Sequence, residues 1–327
     1  MIAVVGCGNW GKNWVRTLSK LKVLQAVAEL KEENFKNEQI DIKIFKDYTS
    51  LIGLPGLRGV VIATPAETHF DIAYHLLCEG LDVLVEKPLA LTFKEARKLE
   101  EIANNKNAIL MVGHIMVYHP AVKLLKEMIN KGVFGRILYF YAQRMSLGQI
   151  RTAENVLWSL GPHDLSIADY LFESLPIEVD LWGDCFLSSP QEDLVMMRLK
   201  YPQGVRGYIQ LSWLNGEKLR KFMLVGDKKI AILDDTKDIN KLELLTLELK
   251  LEEGKWVSLV KERTQFPCTE LPLEEEAKHF IYCIQNRVSP ITDGKSGVRI
   301  IKILDTASKL LTRSGCNILK GENQKLS

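Results

Sequence analysis

Six short apolar runs divide the first part of the chain, up to about residue 112. They read IAVV, VLQAVAE, DIKIF, GVVIAT, LDVLVE and AILMVG. Segments with helical spacing lie between several of them, among them residues 13–20, 68–79 and 92–104. Strands that are apolar throughout are typical of a parallel sheet that helices cover on both faces. The pattern therefore predicts an α/β, doubly wound parallel sheet.

The pattern changes after a helical segment at residues 120–132. The later runs, such as RILYFYAQR, VRGYIQLSW and KKIAIL, alternate better between apolar and polar residues, and GDK and YPQG turns interrupt them. Such alternation favours a mostly antiparallel sheet. Two helical segments, PLEEEAKHFIYCIQNR and SGVRIIKILDTASKLL, follow near the end. We therefore expect two domains, over residues 1–120 and 121–327.

Composition excludes several classes of function. The 327 residues are 46% apolar and 26% charged, and the formal net charge is +2. A charge so close to neutral argues against nucleic acid or an anionic membrane as the partner. The first residues, MIAVVG, predict a strand rather than a signal sequence, and no apolar run is long enough to span a bilayer. We expect a cytoplasmic enzyme or binding protein for a small molecule.

The cysteines and histidines give no sign of a metal. Six cysteines are scattered without a Cys-x-x-Cys pair, which predicts reduced thiols rather than a zinc site or a disulfide framework. No set of His, Cys and carboxylate residues has the spacing of metal ligands, so we expect no catalytic metal.

A glycine-rich loop follows the first predicted strand and opens a helix. Its sequence, GCGNWG, has the G-x-G-x-x-G spacing in which glycines allow a tight turn and let the backbone approach a pyrophosphate at a helix N-terminus. A glycine turn without a ligand is the alternative, but the position after the first strand favours a dinucleotide site. The predicted cofactor contacts in this loop are Gly6, Gly8, Asn9, Trp10 and Gly11.

An acid ends the second predicted strand at the spacing expected for a ribose contact. Glu29 can accept hydrogen bonds from both adenosine ribose hydroxyls and would repel a 2′-phosphate. It therefore predicts NAD as the cofactor in preference to NADP. The neighbouring Lys31 acts against this preference, because its ammonium would attract a phosphate.

Polar residues also follow the fourth and fifth predicted strands. Open α/β sheets bind ligands beyond the carboxyl ends of their strands, so these residues are expected beside the nicotinamide half of a dinucleotide. The fifth strand runs into Lys87, which the following proline fixes in place for contact with a substrate hydroxyl. A solvated lysine is the alternative. The additional predicted cofactor contacts are Thr64, Pro65, His69, Glu86 and Lys87.

Taken together, G-x-G-x-x-G, ATPxxTH, EKPLA and the GH of Gly113 and His114 resemble the Gfo/Idh/MocA oxidoreductase family over essentially the whole chain. The resemblance implies that residues 1–120 form a Rossmann domain that binds NAD(P). It implies that residues 121–327 form a C-terminal α/β domain with a large open sheet, for substrate binding and oligomerisation. It further implies hydride transfer between NAD(P) and a sugar or cyclitol carbon, with Lys87 as the active-site lysine.

The second domain carries the other candidate site residues. The family usually has Asp-x-x-x-His where this chain has Ser159 and His163, and the resemblance implies that His163 is a catalytic acid or base. A capping or packing histidine is the alternative. The segments that contain Arg144, Arg151 and Asn155 resemble the branch of the family that acts on nucleotide-linked amino sugars. The forked guanidinium groups of the two arginines suit a diphosphate. A surface arginine pair is the alternative. The predicted substrate contacts are Lys87, Tyr118, Arg144, Arg151, Asn155, Ser159 and His163.

Three functions remain open from the sequence. The first is an NAD-dependent dehydrogenase that transfers a hydride between nicotinamide and a sugar carbon, with C3 of a UDP-linked amino sugar as the candidate. The second is an NADPH-dependent reductase of a keto-sugar nucleotide. The third is a ligand-sensing regulator that keeps the NAD(P) pocket without turnover, an idea that Ser159 favours and that Lys87 and His163 oppose. An open sheet with an apolar outer face also predicts a homodimer or homotetramer.

Overall fold

A computed structural model describes residues 1–34, 42–148, 150–151, 154–187 and 191–314. The strands are β1 (Ile2–Val5), β2 (Leu24–Ala28), β3 (Lys43–Phe45), β4 (Gly59–Ile62), β5 (Asp82–Glu86), β6 (Leu110–Gly113), β7 (Ile137–Met145), β8 (Glu178–Asp184), β9 (Leu194–Lys200), β10 (Arg206–Ser212), β11 (Leu219–Gly226), β12 (Lys229–Asp234), β13 (Leu242–Glu252) and β14 (Lys255–Phe266). The helices are α1 (Gly11–Lys20), α2 (His69–Cys78), α3 (Phe93–Lys106), α4 (Pro120–Asn130), α5 (Val156–Phe172), α6 (Pro272–Asn286) and α7 (Gly294–Ser314).

The chain forms two compact units. The first contains Met1–Tyr118 and Glu270–Lys302, and the second contains His119–Thr269 and Ile303–Ser327. Residues 270–302 thus pack with the first unit, although the division made from the sequence assigns them to the C-terminal domain. The reason is visible on α6, whose Phe280 and Ile284 lie against Gly59 of β4. A pattern of apolar residues along a helix does not reveal which sheet it covers.

The first unit is built on a six-stranded sheet in the order β3-β2-β1-β4-β5-β6, and all of its strand pairs are parallel. The strand order reverses between β1 and β4, which is the switch point of a Rossmann sheet. Every residue of β1, β4 and β5 is buried, because helices cover both faces. The prediction of a doubly wound parallel sheet is confirmed.

The second unit contains an eight-stranded sheet in the order β14-β13-β12-β11-β7-β10-β9-β8. β7 and β10 run parallel, and the other neighbouring strands run antiparallel. Stacked and tilted rings fill part of the core between this sheet and α5, where Phe140 lies 5.7 Å from Phe172 and 5.2 Å from Phe222 between ring centroids. The prediction of a large, mostly antiparallel sheet is confirmed.

One expectation about the cysteines is wrong. Cys7, Cys78, Cys268 and Cys283 are free, as the scattered spacing predicts. Cys185, by contrast, is disulfide-bonded, so the prediction of reduced thiols fails there. Spacing could not reveal this bond, because a disulfide depends on which cysteines the fold brings together.

The described residues show neither a metal cluster nor a membrane-spanning helix. They contain no group of three or more His, Cys, Asp and Glu side chains arranged to hold a metal ion. No described helix is both long enough and apolar enough to cross a bilayer.

Candidate functional site

The glycine-rich loop between β1 and α1 has the geometry of a phosphate-binding loop. Gly6 has a φ of +88°, and a Cβ there would lie 2.8 to 2.9 Å from atoms of Thr64 and Ala63. A Cβ at Gly11 would lie 2.1 Å from the carbonyl oxygen of Gly6. At Gly8, by contrast, no described atom lies within 4 Å of the Cβ position. The loop is therefore packed tightly on its inner side and open at Gly8, as close approach of a pyrophosphate requires.

The start of α1 adds a favourable electrostatic field to this loop. The first turn of α1 contains no acidic residue. The positive end of the helix dipole is therefore not neutralised by a side chain of that turn, and backbone N–H groups at a helix N-terminus attract anions. The loop and the helix together fit a dinucleotide diphosphate. Asn9 and Trp10, at the exposed edge of the loop, are placed where cofactor contact is predicted.

Glu29 lies directly beside this loop. Its Oε2 accepts a hydrogen bond from the Cys7 backbone N–H at 2.5 Å, and its Oε1 accepts one from the Lys31 backbone N–H at 2.9 Å. The two bonds fix the carboxylate at the end of β2, next to the phosphate loop. This is the position that the sequence predicts for an acid that binds the adenosine ribose hydroxyls.

The ends of β4 and β5 are joined by side chains that the sequence predicts as cofactor contacts. The ring of His69 has Nδ1 2.7 Å from the carbonyl oxygen of Pro88 and Nε2 2.9 Å from that of Thr64. Burial lowers the pKa of His69, so the neutral ring donates to one of these carbonyls at a time. Thr68 Oγ1 lies 2.7 Å from both Thr64 Oγ1 and the Pro65 carbonyl oxygen. These contacts tie the two strand ends together.

Glu86 and Lys87 stand at the carboxyl end of β5. The Glu86 carboxylate is buried and accepts the indole N–H groups of Trp10 and Trp14, the latter at 2.7 Å. Its Oε2 accepts the backbone N–H of Lys87 at 3.2 Å. Lys87 is half-buried, and the Lys87–Pro88 peptide bond is cis. The backbone of Lys87 is thus fixed at the same edge of the sheet as the phosphate loop.

Two further titratable side chains of this unit are buried, and the sequence analysis did not predict their burial. Both Glu276 carboxylate oxygens and both His114 ring nitrogens are buried without a hydrogen-bond partner among the described residues. Burial, followed by the charge of Glu86, raises the pKa of Glu276 well above its ordinary range. Burial, followed by the charge of Lys87, lowers the pKa of His114 to about 3. Both groups are therefore held neutral near Lys87 and Glu86.

A sequence signal for Glu276 exists. It stands four residues before Phe280 and seven before Cys283, so it lies on the buried stripe of α6 rather than on its exposed face. Tyr118, a predicted substrate contact, is also in the core. It is 1% exposed, and its hydroxyl lies 3.1 Å from Thr292 Oγ1.

In the second unit, His163 lies on α5, half-buried and one helical turn after the buried Ser159. The structure therefore keeps the predicted pair on one face of the helix, with a hydroxyl in place of the carboxylate. Asp164, the next residue, does not replace that carboxylate. It is 1% exposed, and its carboxylate accepts hydrogen bonds from both Nε and Nη2 of Arg144, each at 2.9 Å.

The predicted substrate anchors have internal partners. Arg144 is 7% exposed, so its forked edge is occupied by Asp164 rather than presented to a diphosphate. Asn155 caps α5, because its Oδ1 accepts the Trp158 N–H at 3.1 Å, while its Nδ2 donates to Glu192 at 2.7 Å. Arg151 is exposed and pairs with Glu154 at 2.7 Å. Arg151 is therefore the better placed of the two arginines to meet a ligand.

Comparison with known proteins agrees with this geometry. Residues 1–114 match the oxidoreductase family with an NAD-binding Rossmann fold, and residues 122–232 match the GFO/IDH/MocA C-terminal domain. The two matches cover the sheet with the phosphate loop and most of the strands of the second unit. The chain belongs to the Gfo/Idh/MocA oxidoreductase family.

Two known proteins, one of them also through a solved structure, show the range of the likeness. A 2,7-anhydro-N-acetylneuraminate hydratase of Mediterraneibacter gnavus is 27% identical over 55% of this chain, which spans about half (51%) of that protein. A UDP-N-acetylglucosamine 3-dehydrogenase of Acidithiobacillus ferrooxidans is 25% identical over 71% of this chain and 72% of that protein. A solved structure of the latter enzyme superposes with a TM-score of 0.82 at 21% identity, covering 95% of this chain and 97% of that one.

The family and the site define the class of enzyme. The chain is an oxidoreductase of the Gfo/Idh/MocA type with an NAD-binding Rossmann fold. The residues of the first unit fit the cofactor, because no described atom lies near the Cβ position of Gly8 and the Glu29 carboxylate is held beside the loop.

The raised pKa of Glu276 predicts a change in stability with pH. In the unfolded chain this carboxyl ionises as the pH rises above its ordinary pKa of 4.5, whereas in the folded chain it stays protonated. Folding therefore becomes less favourable as the pH rises from 4.5 through the folded pKa. Glu276→Gln cannot ionise, so its Tm relative to the parent should rise between about pH 5 and about pH 8. Glu275→Gln, which changes a partly exposed partner of Lys278, is the control and should show no such trend. A Tm difference independent of pH for Glu276→Gln would contradict the prediction.

The ion pair of Arg144 and Asp164 predicts a stability role. Arg144→Ala leaves a buried carboxylate without its partner and should cost about 3–5 kcal/mol of unfolding free energy. Arg151→Ala removes an exposed pair and should change stability by about 0.5 kcal/mol or less. Urea denaturation of both variants measures the contrast. Equal small losses would show that Asp164 finds other partners.

Glu29 predicts the cofactor preference. Glu29→Ala removes the acceptor for the ribose hydroxyls and should weaken NAD binding about tenfold, the usual scale for a hydrogen bond to a charged group. Its binding of NADP should weaken less or improve, because the repulsion of the 2′-phosphate is also lost. Isothermal titration with each cofactor measures both values. Lys31→Ala is the comparison variant and should weaken NADP binding without weakening NAD binding, because it removes the ammonium that would attract the 2′-phosphate. NADP binding equal to or tighter than NAD binding in the parent protein would overturn the assignment.

Proposed function

We propose that the protein is an NAD-dependent dehydrogenase that oxidises a CH–OH group of a nucleotide-linked sugar, with C3 of a UDP-linked amino sugar as the first candidate. The observation that carries the proposal is the placement of Lys87, half-buried at the carboxyl end of β5 in the unit that holds the phosphate loop. The named relative with 3-dehydrogenase activity supports the substrate class.

Lys87 acts on the substrate hydroxyl in this proposal. NAD, when bound, supplies the acceptor for the hydride. Removal of a hydride from a secondary alcohol also requires removal of the hydroxyl proton, which is a task for a positioned acid-base group. The backbone of Lys87 is fixed by Glu86, and the neutral amine form of its side chain can accept the hydroxyl proton as the hydride leaves for NAD.

His163 is the second acid-base group of the proposal. It is half-buried on α5, and the residue one turn before it is Ser159. A serine hydroxyl can hydrogen-bond to an imidazole but cannot balance an imidazolium with a full charge. His163 must therefore work without the carboxylate that the family usually supplies, and Ser159 contributes little to stabilising its charged form.

Substrate anchoring rests on Arg151 in this proposal. Its guanidinium is exposed and is held by Glu154 in an ion pair that a diphosphate can displace at little cost. Arg144 instead supports the site indirectly, because it fixes Asp164 next to His163. The same proposal assigns cofactor binding to the first unit, with a preference for NAD, and assigns substrate binding and oligomerisation to the second unit.

A second candidate is favoured by one observation. Ser159 in place of the usual carboxylate suits a ligand-sensing regulator that binds NAD(P) without turnover. Incubation with NAD and a panel of nucleotide sugars, followed by the absorbance of reduced nicotinamide, separates the two. The reverse assay with NADPH and keto-sugar nucleotides tests the reductase. Tight NAD binding with no turnover of any nucleotide sugar in either direction would favour the regulator.

The acid-base assignment predicts a pattern of rates. Lys87→Ala and His163→Ala should each lower kcat about 100-fold or more, the usual scale for loss of an acid-base group. NAD affinity should persist in both, because Gly8 and Glu29 are untouched. Ser159→Ala is the matched control on the same face of α5 as His163 and should lower kcat much less. Near-normal turnover of Lys87→Ala with a substrate that the parent oxidises would remove the lysine from the chemistry.

Two other expectations from the sequence stay predictions. They are a homodimer or homotetramer joined through the open sheet of the second unit, and a cytoplasmic location.

A further inference from the structure

The Glu86 carboxylate is surrounded by donors that come from a distant part of the chain. Its Oε1 accepts two indole N–H groups, from Trp10 and Trp14, and its Oε2 accepts the backbone N–H of Lys87. All three contacts are donors and favour the ionised carboxylate, whereas burial is the larger effect and raises the pKa of Glu86. Trp14 is fully buried in α1, and Trp10 belongs to the phosphate loop itself.

These contacts cross the sheet. In the strand order, β4 lies between β1 and β5. Adjacent strands are about 4.8 Å apart, so the loop after β1 and the end of β5 are separated by roughly 10 Å. Only long side chains can join them, and Glu86 does so with the two tryptophans. The phosphate loop is thereby linked to the strand that carries Lys87.

The Glu86 carboxylate occupies space that is left free by a glycine on the neighbouring strand. Gly113 of β6 stands opposite Glu86 in the sheet register. A Cβ at Gly113 would lie 3.0 Å from Glu86 Oε2 and 3.1 Å from its Cδ. A larger residue would therefore push the carboxylate away from the indoles. The glycine of the GH pair, at the end of β6, is thus explained by the space that the Glu86 carboxylate needs, which the sequence motif alone does not show.

We propose that Glu86 is a positioning residue that fixes the phosphate loop through Trp10 and Trp14 and fixes Lys87 through its backbone N–H. One buried carboxylate then sets both the binding of the dinucleotide diphosphate and the placement of the lysine. The sequence predicts Glu86 as a direct cofactor contact, whereas its oxygens are occupied by internal donors, so its influence on the cofactor passes through the loop. The part that concerns Lys87 rests on the proposed function, and the part that concerns the loop rests on NAD binding alone.

The two variants that test the proposal each remove a defined part of this network. In Glu86→Gln the amide oxygen can keep the indole bonds only if its NH₂ group turns towards the N–H of Lys87, so at least one contact is lost. Trp14→Phe keeps a buried ring but removes one donor. The matched control is Asp82→Asn at the opposite end of β5, because Asp82 is also buried and accepts the Ile109 N–H at 2.7 Å.

NAD binding to the full-length variants, measured by isothermal titration, needs no sugar substrate. Glu86→Gln and Trp14→Phe should each weaken NAD binding about fivefold to tenfold, and the double variant should be little weaker than the worse single variant, because the two changes break one coupled network. Asp82→Asn should lower Tm but leave NAD affinity within about twofold. Unchanged NAD affinity in both single variants, or effects that simply multiply in the double variant, would overturn the proposal.

Turnover separates this inference from the proposed function. With a substrate that the parent oxidises, Glu86→Gln at saturating NAD should also lower kcat, because Lys87 loses its fixed backbone. An unchanged kcat at saturating NAD would overturn the part that concerns Lys87. If the parent oxidises no sugar while Glu86→Gln and Trp14→Phe still weaken NAD binding together, the proposed function fails and the role of Glu86 in the loop stands. If Glu86→Gln does not fold, Trp14→Phe paired with Trp10→Phe gives the same test of coupling.

Discussion

Burial of the central strands on both faces is the constraint on which the site depends. β1, β4 and β5 have no exposed residue, and between the terminal Asp82 and Glu86 of β5 they offer no polar side chain. Polar chemistry in this part of the sheet is confined to the strand ends. The phosphate loop, Thr64 and Lys87 follow the carboxyl ends of β1, β4 and β5. They therefore lie along the same edge of the sheet, which is where such a sheet binds a dinucleotide.

The buried titratable groups of the first unit avoid an unpaired charge in two different ways. Glu86 is stabilised by two indoles and a backbone N–H, whereas Glu276 and His114 find no partner among the described residues and are held neutral. A second ionised carboxylate beside Glu86 would be repelled in a low dielectric, so protonation of Glu276 keeps the local charge to Glu86 and Lys87. The electrostatics around the lysine are therefore set by groups that do not contact solvent.

The second unit uses its charges differently. Arg144 and Asp164 form a buried, two-bond ion pair beside His163, and Asn155 with Glu192 fixes the start of α5. These pairs hold the helix that carries His163, so residues that resemble substrate contacts by motif are partly structural supports. Arg151 differs from them because half of its side chain is exposed, although its partner Glu154 is mostly buried.

The sequence by itself determined the parallel sheet, the phosphate loop, the acid at Glu29 and the lysine at the end of β5, because each depends on neighbours within a few residues or on a repeating apolar pattern. Only the tertiary structure decided that Glu86 meets indoles 76 and 72 residues away, that Arg144 is paired with Asp164, that Glu276 faces inward and that residues 270–302 pack with the first unit. Such contacts join segments far apart in the chain, and the packing that brings them together leaves no local pattern in the sequence.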